Sequence, residues 1–280
     1  MEADLLTIEQ ELELEFPVSR EQIESYREQG FLHLRQVFSR ELIEHFRPRI
    51  AEAVARDQPN PAPLDQRSSY GQSFLQVPNL WTRYPEIQAL SLNRRSAGIA
   101  TALLGTRGVR MWHDQALFKE PGGGRTAWHC DQFFWPLSSD RCVSVWIPLQ
   151  DTSVESGAVQ FAAGSHRHDH GRHLGISDEG EEQVAASIRE HGLTVQRDSF
   201  VLGDVSFHSG WTFHRAEPNA SDRMRGVMTV IYIDQAMRVA KPLNSFQQYD
   251  QDTWAPGCAV GDPIASRINP VLYGVKTPTA

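Results

Sequence analysis

GDVSFHSGWTFHRAEPNASDRMRGVMTVIYI, residues 203–233, holds two β-forming runs separated by a segment rich in Pro, Asn, Ser and Asp. Upstream, VRMWHDQALFK (109–119), RCVSVWIPL (141–149) and GAVQFAAG (157–164) alternate apolar and polar residues or are dense in β-branched and aromatic types. Short runs of this kind, punctuated by Gly, Pro, Asp and Ser, predict a sandwich or barrel of antiparallel strands. The stretch at about 166–195, with HRHDHGRHLGISDEGEEQ, is too polar for a core and too long for a hairpin, so it reads as a surface excursion or lid. The closing stretch 235–280, with Pro242, Pro256, Pro263 and Pro270, reads as extended chain wrapped around the barrel.

Before the barrel the pattern is helical. Ser19 and Gln22 form a capping box for a helix at about 19–29, which Gly30 stops. FLHLRQVF (31–38) alternates like a strand, and Ser39 caps a helix whose Leu42, Ile43, Phe46, Ile50 and Val54 recur at helical spacing. The Pro- and Ser-rich stretch at about 56–72 predicts a surface connection before a helical stretch near 85–104. The expected organisation is one domain over 1–280: a mostly helical part at 1–105, a barrel core at 106–235 and a C-terminal wrap at 236–280. The fold class is therefore mainly β with flanking helices.

Composition narrows the function. With 35 acidic against 27 basic residues the net charge is −8, which repels polyphosphate and excludes nucleic acid as a natural partner. No apolar run is long enough to cross a bilayer, and the acidic start MEADLLTIEQ is unlike a secretory signal. Cys130, Cys142 and Cys258 form no CxxC pair, so neither a disulfide framework nor a thiolate zinc site is expected. These features predict a cytoplasmic protein.

The chemistry-bearing residues lie in TAWHCDQFFWP (126–136) and in the stretch quoted first. On a strand His129 and Asp131 project to one face while Cys130 points to the other. A second imidazole from a distant strand would complete a 2-His-1-carboxylate facial triad, the donor set of non-haem Fe(II) oxygenases. His208 and His214 both offer that imidazole. Arg225 opens a strongly β-forming run, and a buried guanidinium there needs an anion. Alone, an HxD pair is weak, because most such pairs among eleven histidines are structural.

In combination these motifs resemble the phytanoyl-CoA dioxygenase family: His129-Cys130-Asp131, Gly164-Ser165-His166, Gly203-Asp204, His214, Pro218-Asn219 and Arg225 occur in its order, over about residues 20–235. The resemblance implies a double-stranded β-helix (jelly-roll, cupin-like), iron held by His129, Asp131 and His214, and 2-oxoglutarate anchored by Arg225, with O2 as the oxidant. It favours His214 over His208 by its distance from Arg225, and Arg225 over Arg223, which sits in an apparent turn. It also implies cosubstrate contacts from Trp146 and, more weakly, from Gln115 and Gln76. Ala216 stands where some relatives place a serine that binds the cosubstrate carboxylate. The expected activity is attack on a C–H bond of a small organic molecule, hydroxylation by default. Cyclisation, epimerisation or desaturation are the diverted outcomes, and natural-product tailoring is the expected setting. Halogenation is disfavoured because Asp131 fills the position chloride would need.

Blander readings compete. His166, His168, His170 and His173 are read as a solvated loop, since Arg167, Asp169 and Arg172 lie between them. Phe133 and Trp135 share strand parity with the ligands and are expected to face inward, as pocket wall or as ordinary core; Tyr70, Phe74, Trp112 and Trp211 are similar candidates. Two rivals remain for the whole chain: a redox-silent cupin-like metal isomerase or hydrolase, and a ligand-binding barrel with a vestigial triad.

Overall fold

The computed structural model describes residues 6–58 and 62–274. Residues 59–61 of the expected surface connection, and 275–280 of the expected wrap, lie outside the described residues. The helical part comprises α1 (Ile8–Glu13), α2 (Arg20–Gln29), strand β1 (Phe31–Leu34), α3 (Arg40–Asp57), α4 (Ser69–Ser73), β2 (Leu75–Pro78), α5 (Pro85–Ser91) and α6 (Arg94–Leu104). Ser19 caps α2 through the expected box with Gln22, and Gly30 ends it at φ 83°, a left-handed conformation that favours glycine. The strand expected over 31–38 pairs only as far as Leu34, because the chain then turns and Gln36 bonds to Asp204. The single helical stretch near 85–104 is two helices, since Asn93 caps α6 with its side chain on the Ser96 N–H.

The barrel strands are β3 (Val109–Lys119), β4 (Thr126–His129), β5 (Cys142–Pro148), β6 (Val159–Ala162), β7 (Val195–Arg197), β8 (Val205–Ser209), β9 (His214–Ala216) and β10 (Arg225–Asp234). Helix α7 (Asp178–Glu190) lies between β6 and β7, while α8 (Ser245–Trp254) and β11 (Val271–Tyr273) follow β10. One antiparallel sheet runs β1-β8-β5-β10-β3-β11 with β2 also on β3; the other runs β4-β9-β6-β7. Together they form the two sheets of a double-stranded β-helix, as expected. No helix among the described residues is long and apolar enough to cross a membrane.

Alternation along the large sheet divides two environments. Val143, Val145 and Ile147 of β5 and Met228, Val230 and Tyr232 of β10 pack with α3, α5 and α6 in the main core. Their neighbours Ser144, Trp146, Arg225, Val227 and Thr229 point the other way, into the space between the sheets. There Trp146, Phe31 and Val227 meet Val159 and Phe161 of the small sheet, and the Phe31 and Phe161 rings stack at 4.6 Å. The face between the sheets thus carries residues one step out of phase with the core, which is why polar groups can occupy it without breaking the packing.

Two sequence expectations need correcting. The polar excursion carries α7, whose Val184 and Ile188 are buried against Trp128 and Phe213. Its Glu181 accepts the Trp128 N–H at 2.6 Å and pairs with Arg215 at 3.1 Å, so the helix braces the strands that carry His129 and His214. The C-terminal stretch is not simply extended: α8 packs Trp254 into a cluster with Trp112 and Trp135, and β11 joins the large sheet beside β3. In both cases an amphipathic helix was hidden by a high proportion of polar residues.

Candidate metal and cosubstrate site

His129 and His214 are direct cross-strand partners of β4 and β9, with ring centroids 4.1 Å apart. Asp131 begins a 3-10 turn, Asp131–Phe134, instead of continuing the strand. Cys130 is still extended, so the carboxylate returns to the face of His129, but strand parity ends there. Phe133 therefore packs towards Trp128 and Phe134, and Trp135 joins the Trp112 cluster, so neither position follows from parity with the ligands.

Ligand atoms of His129, Asp131 and His214 lie within 4.8 Å of one another. His129 Nε2 is 3.8 Å and His214 Nε2 3.6 Å from the same carboxylate oxygen, Asp131 Oδ1. The opposite ring nitrogens are already committed: His129 Nδ1 bonds to the Ala127 carbonyl at 2.8 Å and His214 Nδ1 to the Thr212 carbonyl at 3.0 Å. Each Nδ1–H donation fixes the tautomer that leaves Nε2 a free lone pair directed at Oδ1. Burial lowers the proton affinity of both imidazoles. Burial alone would raise Asp131, but His214, His208 and His129 together hold its carboxyl well below the usual range. Neutral imidazoles and an ionised carboxylate are the protonation states that a divalent cation requires, and two nitrogens with one oxygen suit Fe(II).

His208, left open as an alternative ligand by the sequence, occupies a different place. It is the cross-strand partner of Ser144, and both reach the second carboxylate oxygen: His208 Nε2 lies 3.1 Å and Ser144 Oγ 2.8 Å from Asp131 Oδ2. The carboxylate thus spans the two sheets, Oδ1 facing the imidazoles of the small sheet and Oδ2 held by the large one. Ser144 was missed in the sequence, although a serine in VSVWI at the parity of Trp146 is a signal for an inward polar contact. Replacing His208 by Phe, or Ser144 by Ala, is expected to lower Fe(II) affinity by roughly 10- to 100-fold while leaving the fold intact, measured by anaerobic metal titration and circular dichroism. Unchanged affinity in both variants would show that Oδ2 needs no support.

At the start of β10, Arg225 is 3% exposed and Lys119, its register partner on β3, is fully buried. Arg225 donates to the Leu117 carbonyl at 3.2 Å, its Nε has no partner, and its guanidinium lies 5.8 Å from the Trp146 ring. Burial pushes Arg225 down to about 10; burial and then the Arg225 charge push Lys119 down to about 6. Lys119 Nζ donates to the Gly124 carbonyl at 2.5 Å and lies 3.3 Å from Thr126 Oγ1, and Thr126 is the cross-strand partner of Ala216. A buried guanidinium with an orphaned nitrogen, beside an amine that a bound anion can protonate, fits a carboxylate well. Lys119 escaped the sequence reading because a lone lysine at a strand end usually marks solvent.

Gln76 and Gln115 are brought together, Gln76 Nε2 donating to Gln115 Oε1 at 2.6 Å, and Tyr70 donates its hydroxyl to Gln76 Oε1 at 2.7 Å. The histidine tract is dispersed: His166 bonds to the Arg27 carbonyl, while His168 and His170 lie against His191 at 4.8 and 5.0 Å.

A family model described as phytanoyl-CoA dioxygenase matches residues 26–227. A probable alpha-ketoglutarate-dependent hypophosphite dioxygenase of Stutzerimonas stutzeri is 23% identical over 76% of this chain and 77% of its own length. Phytanoyl-CoA dioxygenase domain-containing protein 1 of Mus musculus is 30% identical over 59% of this chain, and the match spans only 56% of that protein. Among solved structures, the non-heme alpha ketoglutarate dependent carbocyclase SnoK from nogalamycin biosynthesis superposes with a TM-score of 0.75 at 27% identity, covering 91% of this chain and 96% of that one.

Proposed function

The chain belongs to the phytanoyl-CoA dioxygenase family, and from that premise we propose that it is an Fe(II)- and 2-oxoglutarate-dependent oxygenase that attacks a C–H bond of a small organic molecule. The observation that carries this reading is that the His129, Asp131 and His214 donor cluster and the buried Arg225 guanidinium, with Lys119 as its register partner, face the same space between the two sheets, joined through Trp146 and Phe161. A redox-silent metal isomerase has no evident use for a buried guanidinium facing the same space as its metal.

Fe(II) with 2-oxoglutarate and O2 supplies the oxidising power that no side chain has. The chain's own residues supply everything else. His129 and His214 present Nε2 lone pairs from neighbouring strands, and Asp131 adds one anionic oxygen, its second being occupied by Ser144 and His208. Arg225 receives the distal carboxylate of the cosubstrate, with Lys119 adding charge where Ala216 offers no hydroxyl. Trp146, Val227, Phe161 and Leu117 pack together beside Arg225 and exclude water there, which strengthens ionic contacts. Gln76 and Gln115 lie on the β2–β3 side, where a hydrogen-bond donor can reach cosubstrate or substrate. The helical part contributes Gln76 and the C-terminal part α8, which supports reading the chain as one catalytic domain.

Anaerobic addition of Fe(II) and 2-oxoglutarate is expected to produce a visible metal-to-ligand charge-transfer band. Its absence from the intact protein would overturn the oxygenase reading in favour of the metal-isomerase or binding-barrel rivals. Likeness to a carbocyclase makes ring closure the second reading beside hydroxylation. Product mass separates them, since hydroxylation adds an oxygen atom and ring closure removes two hydrogens.

A further inference from the structure

We propose that His113 is a substrate-contacting residue of this site, its Nε2 accepting a hydrogen bond from an uncharged hydroxyl on an otherwise apolar ring compound; the inference rests on the oxygenase reading of the same site. His113 lies on β3 at the inward parity of Gln115, Leu117 and Lys119, and the sheet register leads from it to the metal ligands. His113 pairs with Ile231 of β10, Ile231 with Ser144 of β5, and Ser144 with His208 of β8. The last two hold Asp131 Oδ2, so one row across the sheet runs from His113 to the carboxylate ligand. Two strand spacings, about 10 Å, separate the His113 and Ser144 backbones. The chain that follows Asp131 crosses the same interval, since Trp135 meets the His113 ring edge-on at 6.2 Å. Trp112 has no partner where the register shifts between Ile231 and Tyr232, a β-bulge that turns Trp112 and His113 together toward Trp135 and Trp254. Arg225 lies opposite Lys119, about 20 Å along β3 from His113. Cosubstrate anchored at Arg225 therefore leaves the His113 end of this face to the substrate.

The imidazole is only half satisfied by the chain. Its Nδ1 lies 3.3 Å from the Asp114 carbonyl, and a carbonyl only accepts, so the proton sits on Nδ1 and Nε2 carries a lone pair. That Nε2 has no hydrogen-bond partner among the described residues. Burial pushes the ring down to about 4, which keeps it neutral and the lone pair available at neutral pH. His113 is 4% exposed and is flanked by the indoles of Trp135 and Trp254, the latter at 4.8 Å. Packing alone would be served better by Phe or Leu, because a buried acceptor without a donor costs about 1–3 kcal/mol. A substrate hydroxyl removes that cost, and the two indoles favour an apolar ring around it. The acidic charge felt at His113 is that of Asp131, which a bound metal takes up, so an uncharged donor suits this position better than an ammonium group.

The test is equilibrium dialysis of the Fe(II)·2-oxoglutarate protein under anaerobic conditions against three probes sharing one ring system: 2-naphthol, 2-methoxynaphthalene and 2-naphthylmethylamine. The naphthol is expected to bind about tenfold tighter than its methyl ether, the size of one hydrogen bond to a buried acceptor, with the amine no tighter than the ether. His113→Phe keeps a ring between the indoles but loses the acceptor, so it should bring the naphthol to the affinity of the ether and leave the ether unchanged. His113→Gln, whose amide oxygen can accept, should keep the naphthol preference, a rescue that a purely structural role for His113 does not give. Affinity for 2-oxoglutarate and the charge-transfer band, recorded in the same samples, should be unaltered in both variants. Equal affinity of naphthol and ether for the unaltered protein, no saturable binding of either, tightest binding by the amine, or a naphthol preference that survives His113→Phe overturns the proposal. A band without naphthol preference removes this inference alone, whereas no band in the unaltered protein removes the oxygenase reading and this inference with it.

Discussion

Asp131→Ala is expected to abolish succinate release and to weaken Fe(II) binding by at least about 100-fold, because the variant loses the only anionic ligand of the cluster. The same change strands Ser144 and His208, whose bonds to Oδ2 are 2.8 and 3.1 Å long. Leaving buried donors without an acceptor costs about 1–3 kcal/mol each, so the metal-free variant should also unfold at lower denaturant. Asp131→Asn separates the two effects. Its amide oxygen can still accept from Ser144, so stability should largely return while iron binding and turnover do not. His129→Ala and His214→Ala should match Asp131→Ala in turnover. Full succinate release in any of these variants would remove that residue from the site.

Replacement of Arg225 by Leu should act in the opposite sense on stability. Its guanidinium is buried with an unpartnered Nε and without an acidic partner among the described residues, so its removal should leave the ligand-free protein as stable as before or more so. Binding of 2-oxoglutarate, in contrast, should weaken by about 100-fold, as expected when a buried charge-assisted contact worth roughly 2–3 kcal/mol is lost. The signature is a raised KM for 2-oxoglutarate with a smaller change in kcat, together with loss of the thermal shift that the cosubstrate gives. Lys119 adds a protonic readout. Pushed down to about 6, its amine is neutral at pH 8 in the free protein, and a bound dicarboxylate raises it again. Calorimetry in two buffers of different ionisation enthalpy should therefore show uptake approaching one proton at pH 8, fading as pH falls below 6. No buffer dependence, or loss of uptake in Arg225→Leu with binding unchanged, would exclude Lys119 from the anion pocket.

The sequence by itself determined the family, the β-rich order of the core and the small set of residues worth testing, because strand alternation and capping are local signals carried by adjacent side chains. Ser19–Gln22, the HxD spacing and the basic residue that opens β10 are all of this kind. Tertiary structure alone decided what each inward residue faces. His208 and His214 have the same parity and are six positions apart, yet one meets Oδ2 from the large sheet and the other Oδ1 from the small one. The cross-strand pairings Ser144 with His208 and Arg225 with Lys119 join residues tens to more than a hundred positions apart. Such contacts arise from register and sheet closure, which depend on the summed packing of the whole core, and no short stretch of chain encodes them.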